Sequence, residues 1–492
     1  MPTLSGPLSL GSDTQLLGTG PLVGTAPLLR TGQLASPELL PGTRPLPAAA
    51  PLASIWFLTW PLVLTMVLNL VVSLIETVIA GQFSPQAQAA TGLAMQVIFL
   101  LNAPATALSI GAQVVLARSH GENPEDLDDA LIRRVLRLGS QLSLVMIPVV
   151  WILAPWAFAA MGATGEVQEQ AVDYLRLMLP GLLPMNLAMV INGVFRARGD
   201  MFLRLVNTAV EALVWIGGAV ILGSSAGLGL GGMGLAFLAG KTASLAVAWS
   251  QIKGLGLLPR RKAPSPFDPP LPSWSPAEVR RVLRVGYPVA LQNLLRPLGC
   301  MAVFAILGGT AFPATSAAAY TVGSRIETSS FLLVFALNVA AATFVGQCLG
   351  AGDPRRAERA CWQMTHLATG SMAVVGLAMF IGAEGLASLF TSDPRVIAQT
   401  GDYLRIQAIS EPFLAIATVL SGALQGAGST RSPLFIALGT QFAIGLPVAY
   451  LLAQPLGLGS AGVWWALALA NISQGVLVYW WFRRGNWRHK TV

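Results

Sequence analysis

Residues 432–482 read SPLFIALGTQFAIGLPVAYLLAQPLGLGSAGVWWALALANISQGVLVYWWF and carry no charged side chain. A membrane-spanning helix needs about 20 mostly apolar residues, so this stretch holds two spans. Working outward, further charge-free stretches run from Thr77 to Ala117, Leu138 to Gly165, Ala212 to Gly240 and Pro297 to Ser324. Each holds one or two spans, and the basic residues punctuate them. Composition agrees. Of 492 residues, 54% are hydrophobic and 11% charged, and the mean hydropathy is +0.64. A soluble protein carries about 25% charged residues, so a water-solvated globule is excluded. The 30 basic and 22 acidic residues give +8. That excess suggests a nucleic-acid binder only until its spacing is read.

Apolar runs taken against turn signals predict an all-α integral membrane protein with twelve transmembrane helices. The first six are expected near 54–81, 88–117, 132–156, 168–195, 203–223 and 232–256. The second six are expected near 283–308, 314–346, 359–384, 396–423, 433–454 and 461–482. Lys and Arg in short loops set orientation. One side collects Arg118, Arg133, Arg134, Arg137, Arg196, Arg198, Arg204, Lys253, Arg260, Arg261, Lys262, Arg280, Arg281 and Arg284, then Arg355, Arg356, Arg359, Arg431, Arg483, Arg484, Arg488 and Lys490. The other side offers Arg395, with Arg176 and Arg405 just inside helix ends. Both termini are therefore expected in the cytoplasm, and the protein in the cell (inner) membrane.

The halves repeat. Tyr174-Leu175-Arg176 precedes Tyr403-Leu404-Arg405 by 229 residues, and Gly193 meets Gly422 and Gly199 meets Gly428 at the same offset. Asn123-Pro124 meets Asp353-Pro354 at 230, and Leu228-Gly229-Leu230-Gly231 meets Leu456-Gly457-Leu458-Gly459 at 228. Six helices is an even number, so both copies enter from one side as parallel repeats, with a substrate path between two six-helix lobes. The lobes are read as 54–256 and 283–483. A Pro/Arg-rich stiff linker over 257–282 joins them, residues 1–53 read as a disordered cytoplasmic tail, and 484–492 as a basic tail. Cys300, Cys348 and Cys361 are too scattered for a disulfide framework, and His120, His366 and His489 show no metal-ligand spacing.

Several motifs in order then resemble one family. Gly323-Ser324-Arg325-Ile326-Glu327 and Val345-Gly346-Gln347-Cys348-Leu349-Gly350-Ala351-Gly352-Asp353 lie in the second half. The Gly-rich turn from Gly422 to Pro433 follows, and Ile75-Glu76-Thr77-Val78-Ile79-Ala80-Gly81 ends the first helix. Together, over about residues 54–483, they resemble the multidrug and toxic compound extrusion (MATE) family of secondary transporters, DinF-like branch.

Ionisable groups inside a bilayer are costly and mark function. Glu76 shares a helix-1 face with Asn69 and Ser73, at i, i+4 and i+7. The plainer alternative is a glutamate reaching interfacial water. Glu211 lies about 12 Å into helix 5 at 1.5 Å per residue, with Asn207 one turn earlier and placed to bond its carboxyl. A structural hydrogen bond to a neighbouring helix is the alternative there. The resemblance implies more. An acid on helix 1 and an Asn-x-x-x-Asp on helix 5 form the branch's first-lobe proton site, matched here by Glu76, Asn207 and Glu211, with Glu in place of Asp at both acids. Lys241 on helix 6 is a candidate counter-ion to Glu76 or Glu211, unless it lies off the cavity and bonds backbone carbonyls. Pro61 is a candidate helix-1 hinge, or a tolerated membrane proline. Met66, Met95, Phe99 and Trp215 are cavity-lining candidates, with ordinary packing the alternative. In the second lobe, Arg296 replaces the cation-binding Glu that the NorM-like branch places on helix 7, and is expected to pair with Glu327. Glu327 and Glu411 read as structural contacts or transport residues.

The function expected is antiport. A proton neutralises an acid in the first lobe, the equilibrium between outward and inward states shifts, and the resemblance implies lipophilic cations as the substrate class. Sodium coupling, or a lipid-linked precursor flippase of the same superfamily, are the alternatives; the latter needs a markedly cationic cavity. No clustered nucleophile argues for an enzyme, and a twofold repeat supplies no pore ring. The expected partners are small-molecule substrates and the lipid bilayer, with no nucleic acid, no cofactor beyond the coupling ion (H+, less readily Na+) and a monomeric state.

Overall fold

The computed structural model describes residues 52–122, 129–257 and 276–490. The tail expected over 1–53 (but for Leu52 and Ala53), most of the linker expected over 257–282 and the Asn123-Pro124 half of one repeat match lie outside the described residues. Helix 1 is α1 (Leu52–Phe83), and helix 2 is α2 (Pro85–Leu101) plus α3 (Ala103–Glu122), bent by 42°. Helix 3 is α4 (Asp129–Ala160). Helix 4 is α5 (Gly165–Met178) plus α6 (Leu182–Arg198), joined by a 3-10 turn. Helix 5 is α7 (Met201–Gly218) with a π-helical extension, and helix 6 is α8 (Gly229–Gly254). In the second half, helix 7 is α9 (Pro276–Gly308), helix 8 is α10 (Pro313–Ser330) plus α11 (Leu332–Gly350), and helix 9 is α12 (Pro354–Ile381) with the short α13 (Ala383–Ser388). Helix 10 is α14 (Pro394–Gly426), helix 11 is α15 (Arg431–Leu438), a π-helical turn and α16 (Leu446–Ala453), and helix 12 is α17 (Gly459–Arg483). The protein is thus all-helical, with twelve candidate spans among the described residues when the bent helix-2 pair counts as one.

Local chemistry starts these helices. Pro85, Pro354 and Pro394 sit in first turns, where a missing N–H costs nothing. The preceding Ser84, Asp353 and Asp393 accept hydrogen bonds from Ala87 N, Arg356 N and Arg395 N at 2.9, 2.9 and 2.8 Å. Such caps satisfy orphan backbone donors.

The repeat is visible atom by atom. Helix 2 breaks at Asn102 and helix 8 at Phe331, 229 residues apart. Ser109 Oγ donates to Met189 O at 2.7 Å, and Asn338 Nδ2 donates to Thr418 O at 2.6 Å, again at offset 229. Gly193 and Gly422 let these helix pairs close up, since a Cβ on either would lie 2.8 Å from Ser109 O or 2.3 Å from Asn338 O. One register is corrected. The Leu-Gly-Leu-Gly match at 228 gives way to 230, because Gly227 and Gly457 (φ 71° and 69°) and Gly229 and Gly459 (φ 55° each) are the conformational equivalents. Only glycine takes such φ freely, so backbone conformation outranks letter identity there.

The lobes meet through α3, α9 and α11, with α1 also against α11. The contact lies in the halves of these helices nearer the face that carries Arg118, Arg284 and Arg355, called the basic face below. Backbones touch there without side chains between them. An added Cβ would stand 2.1 Å from Gln347 O at Gly121, 2.0 Å from Arg118 O at Gly350, 2.2 Å from Val282 O at Gly111 and 1.9 Å from Ala107 O at Gly286. Small residues at helix crossings are how membrane helices pack without a hydrophobic drive. Side-chain bonds also cross the seam: Gln113 Nε2 donates to Thr343 Oγ1 at 3.2 Å, and Gln347 Nε2 donates to Ala197 O at 2.7 Å. Away from the seam, outer helix faces expose large apolar side chains such as Leu213, Val374 and Ile381, as a hydrocarbon surrounding requires.

Candidate functional site

Glu76 stands near the far end of α1. Its neighbours on the same face, Asn69 and Ser73, are exposed, while Glu76 is only 9% exposed. The Tyr174 hydroxyl, from α5 and itself buried, donates to Glu76 Oε1 at 3.2 Å. A buried carboxyl therefore borders an accessible polar strip of its own helix. Pro61 lies fifteen residues earlier, inside α1, which runs through it as one helix; Thr65 Oγ1 donates back to Pro61 O at 2.7 Å.

Glu211 sits on α7 opposite the exposed stripe of Phe202 and Leu213, given 3.6 residues per turn, so it points into the bundle. The Lys241 ammonium, from α8, donates to Glu211 Oε1, and both side chains stay partly accessible (20% and 26%). Lys241 Nζ also lies 5.1 Å from the centre of the Phe237 ring, within cation–π range. Glu76 and Glu211 thus face the same lobe interior from α1 and α7, and the partner of Lys241 is Glu211.

Several expectations change. Asn207 does not bond Glu211: its amide donates to Asn192 Oδ1 at 3.0 Å, while the Lys241 ammonium holds the acid. Trp215 is 4% exposed and belongs to the lobe's apolar core, with the Gly240 backbone packed on its Cβ; it is a packing residue, not a cavity wall. Met95 packs on that same core, and Met66 is half-buried. Phe99 is 54% exposed on a stripe of α2 that also shows Gln88 and Gln96. Arg296 is exposed, and its guanidinium lies 5.9 Å from the centre of the Phe335 ring instead of forming an ion pair with Glu327. Glu327 is held by the Tyr403 hydroxyl on Oε2. Glu411 is 1% exposed, and neither of its oxygens has a hydrogen-bond partner among the described residues; Gln407 and Ser410 beside it bond one another at 3.0 Å.

Two features escaped the sequence. Tyr174 and Tyr403 are equivalent by the repeat, yet they hold acids from non-equivalent helices, Glu76 on α1 and Glu327 on α10. The repeated Tyr-Leu-Arg was the available signal. Arg196 is buried and held by neutral groups; it donates from Nε to Gln113 Oε1 and from Nη2 to Ser109 Oγ, both at 2.8 Å. It thereby braces Gln113 for its bond across the seam. Among the described residues, no three His, Cys, Asp or Glu side chains gather as a metal site requires.

Two repeated six-helix lobes, with buried acids inside them and a seam between them, define a secondary transporter by architecture. The MatE family profile matches residues 61–221 and 288–451, once in each half. The chain belongs to this family, and is a transporter, not an enzyme. It is 26% identical over 432 residues to "Probable multidrug resistance protein NorM" of Thermotoga maritima, covering 85% of this chain and 89% of that one. Its fold is similar to that of the Vibrio cholerae MATE transporter VcmN in its bent form (TM-score 0.80, 20% identity, 87% of this chain and 95% of that one). It is also similar to a MOP superfamily transporter from Pyrococcus furiosus described as having a binding pocket of reverse polarity (TM-score 0.79, 22% identity, 89% and 96%).

Proposed function

We propose that the chain exports lipophilic small molecules, cations foremost, in exchange for protons, as a monomer in the cell membrane with both termini in the cytoplasm. The observation that carries this is Glu76, a buried carboxyl midway between an accessible polar strip and a tyrosine donor. A carboxyl withdrawn from water is held most cheaply in its neutral form, and one proton supplies that without the several oxygen ligands a sodium ion needs.

In this reading the seam at the basic face is shut and the lobes face outward. A proton arriving from outside neutralises Glu76 and weakens its hold on a cationic substrate. Lys241 stays on Glu211 until a substrate cation competes for it. Substrate and proton therefore exclude one another, and each biases the lobes toward a different face. The Thermotoga relative bears the name of a multidrug resistance protein, and the partly exposed aromatic and methionine surfaces of the first lobe suit varied apolar substrates.

The test is efflux of ethidium from proteoliposomes under an imposed proton gradient, with a sodium gradient as control. Wild type is expected to respond to protons alone, and Glu76→Gln to lose the response. A sodium-driven wild type, or full proton coupling in both Glu76→Gln and Glu211→Gln, refutes the proposal.

A further inference from the structure

Helix 12 does not run out into solvent. After Arg483 the chain reverses at Gly485 (φ 74°), and Asn486–His489 forms a 3-10 turn. Trp487 is 2% exposed, stacks on Phe482 with ring centres 4.8 Å apart, and donates from Nε1 to Phe482 O at 3.0 Å. Arg488 Nη2 pairs with Glu358 Oε2 of α12 at 2.6 Å. Lys490 Nζ lies 3.4 Å from Ser429 Oγ, in the turn between α14 and α15. All of these contacts are within the second lobe. The next one is not: Arg118 Nη1, at the end of α3 in the first lobe, donates to Lys490 O at 2.6 Å.

Arg118 stands where α3 and α11 press closest on one another. Its own carbonyl oxygen is the atom that leaves no room for a Cβ on Gly350. One residue thus packs its backbone against α11 and grips the carboxyl-terminal segment with its side chain.

We infer that Gly485–Lys490 is an intramolecular clasp: anchored on the second lobe by Trp487 and Arg488, it holds the basic-face seam closed through Arg118 and releases Arg118 before the lobes part there. The inference rests on the alternating-access reading above, and it assigns this segment control over how often the basic face opens. Two strong anchors, Trp487 and Arg488, and a single interlobe bond suit that role. The segment stays docked on one lobe while the crossing bond breaks and re-forms. The grip is on a backbone carbonyl, so it is indifferent to the side chain at 490. It depends wholly on the guanidinium at 118, whose planar fork a shorter or neutral side chain cannot replace.

The reporter is Thr343→Cys, a near-isosteric change at a position 1% exposed on the seam, in a background with Cys300, Cys348 and Cys361 changed to Ala. A membrane-impermeant maleimide is added from the basic-face side without any ion gradient. Arg118→Ala, and separately a chain ending at Arg484, are expected to label about ten-fold faster than the parent, the effect within reach of one charge-assisted hydrogen bond. Lys490→Ala is expected to label at close to the parent rate. A synthetic peptide of residues 485–492 is expected to slow the truncated chain again. Parent-like labelling in Arg118→Ala and in the truncated chain overturns the clasp. Arg118→Ala keeps the full chain, so the comparison remains decisive even where truncation disturbs folding. Labelling of the parent that ignores an imposed proton gradient would instead sink the coupled-transport reading, which this zero-gradient comparison does not use.

Discussion

Replacing Gly350 by alanine puts a methyl group 2.0 Å from the carbonyl oxygen of Arg118 and 3.0 Å from Gly121 Cα. Ordinary contact begins at 3.4 Å, and the obstacle is backbone, which cannot rotate away. The ends of α3 and α11 must therefore separate by roughly 1 Å or more to restore packing distances. Overpacking of this kind costs about 1–3 kcal/mol, and the cost falls only on the conformer whose seam is closed, because parted lobes leave the methyl free. At about 2 kcal/mol, the closed-to-open ratio at the basic face falls about thirty-fold. Spin labels on Glu122 and Ala351, both exposed, report the separation by dipolar broadening of their EPR spectra. Gly350→Ala is expected to lose most of the broadening seen in the parent and to slow export, which needs the closed seam in every cycle. Gly370→Ala on α12 is the control, since nothing lies within 4 Å of its added Cβ. Gly121→Ala, the repeat partner, is expected to act like Gly350→Ala. Parent-like spectra and transport in Gly350→Ala would refute the argument that backbone contact at this point defines the closed state.

Three further outcomes are expected. Glu411→Met replaces a buried carboxyl that has no donor among the described residues by an apolar group of similar length, so thermal unfolding should show a gain of about 1–3 kcal/mol, whereas Lys241→Met, which strips Glu211 of its ammonium, should lower stability. Tyr174→Phe is expected to weaken proton-driven export of ethidium with little loss of folded protein, while Tyr403→Phe, which serves an acid on a different helix, should leave the first-lobe coupling intact; flux assays on the two variants separate these effects. Asp200, in the turn after α6, is raised from its usual 3.8 by burial, against the pull of Arg198 at 3.0 Å. A carboxyl whose folded value lies above its unfolded one contributes stability below the unfolded value, and loses it as pH rises through the folded one. Asp200→Asn should therefore flatten the decline in unfolding free energy as pH climbs from about 4, read by denaturant titration at several pH values.

Much of the architecture was legible because a bilayer forces every span to be long, apolar and internally bonded. All twelve helices fall close to where apolar runs and turn signals predict them, and Gly193, Gly422, Tyr174 and Tyr403 mark the repeat. What stayed hidden depends on pairings across long sequence separations. Ser109 and Asn338 do the same work with different side chains, so letter matching passes over them. Asn207 looked like the partner of Glu211 because it lies one turn away, yet Lys241, thirty residues on, wins that oxygen with a full charge. Arg296 and Glu327 carry opposite charges on neighbouring helices, but a tyrosine on α14 reaches the acid. The helical spacing of Trp215 suits packing as well as lining, and the Gly240 backbone against it decides for packing. The carboxyl-terminal tail read as a run of basic residues, and the contacts that dock Trp487 and Arg488 appear only when α12 and α17 are side by side.

The central claim, that a lipophilic cation and a proton compete for the acids of the first lobe, is tested most directly by calorimetric titration of ethidium into the purified protein in buffers of differing ionisation enthalpy. Ethidium carries a permanent charge, so any proton exchanged belongs to the protein. The account predicts proton release on binding in wild type and a marked loss of that release in Glu76→Gln. Binding without proton release in wild type, or undiminished release in Glu76→Gln, would contradict it.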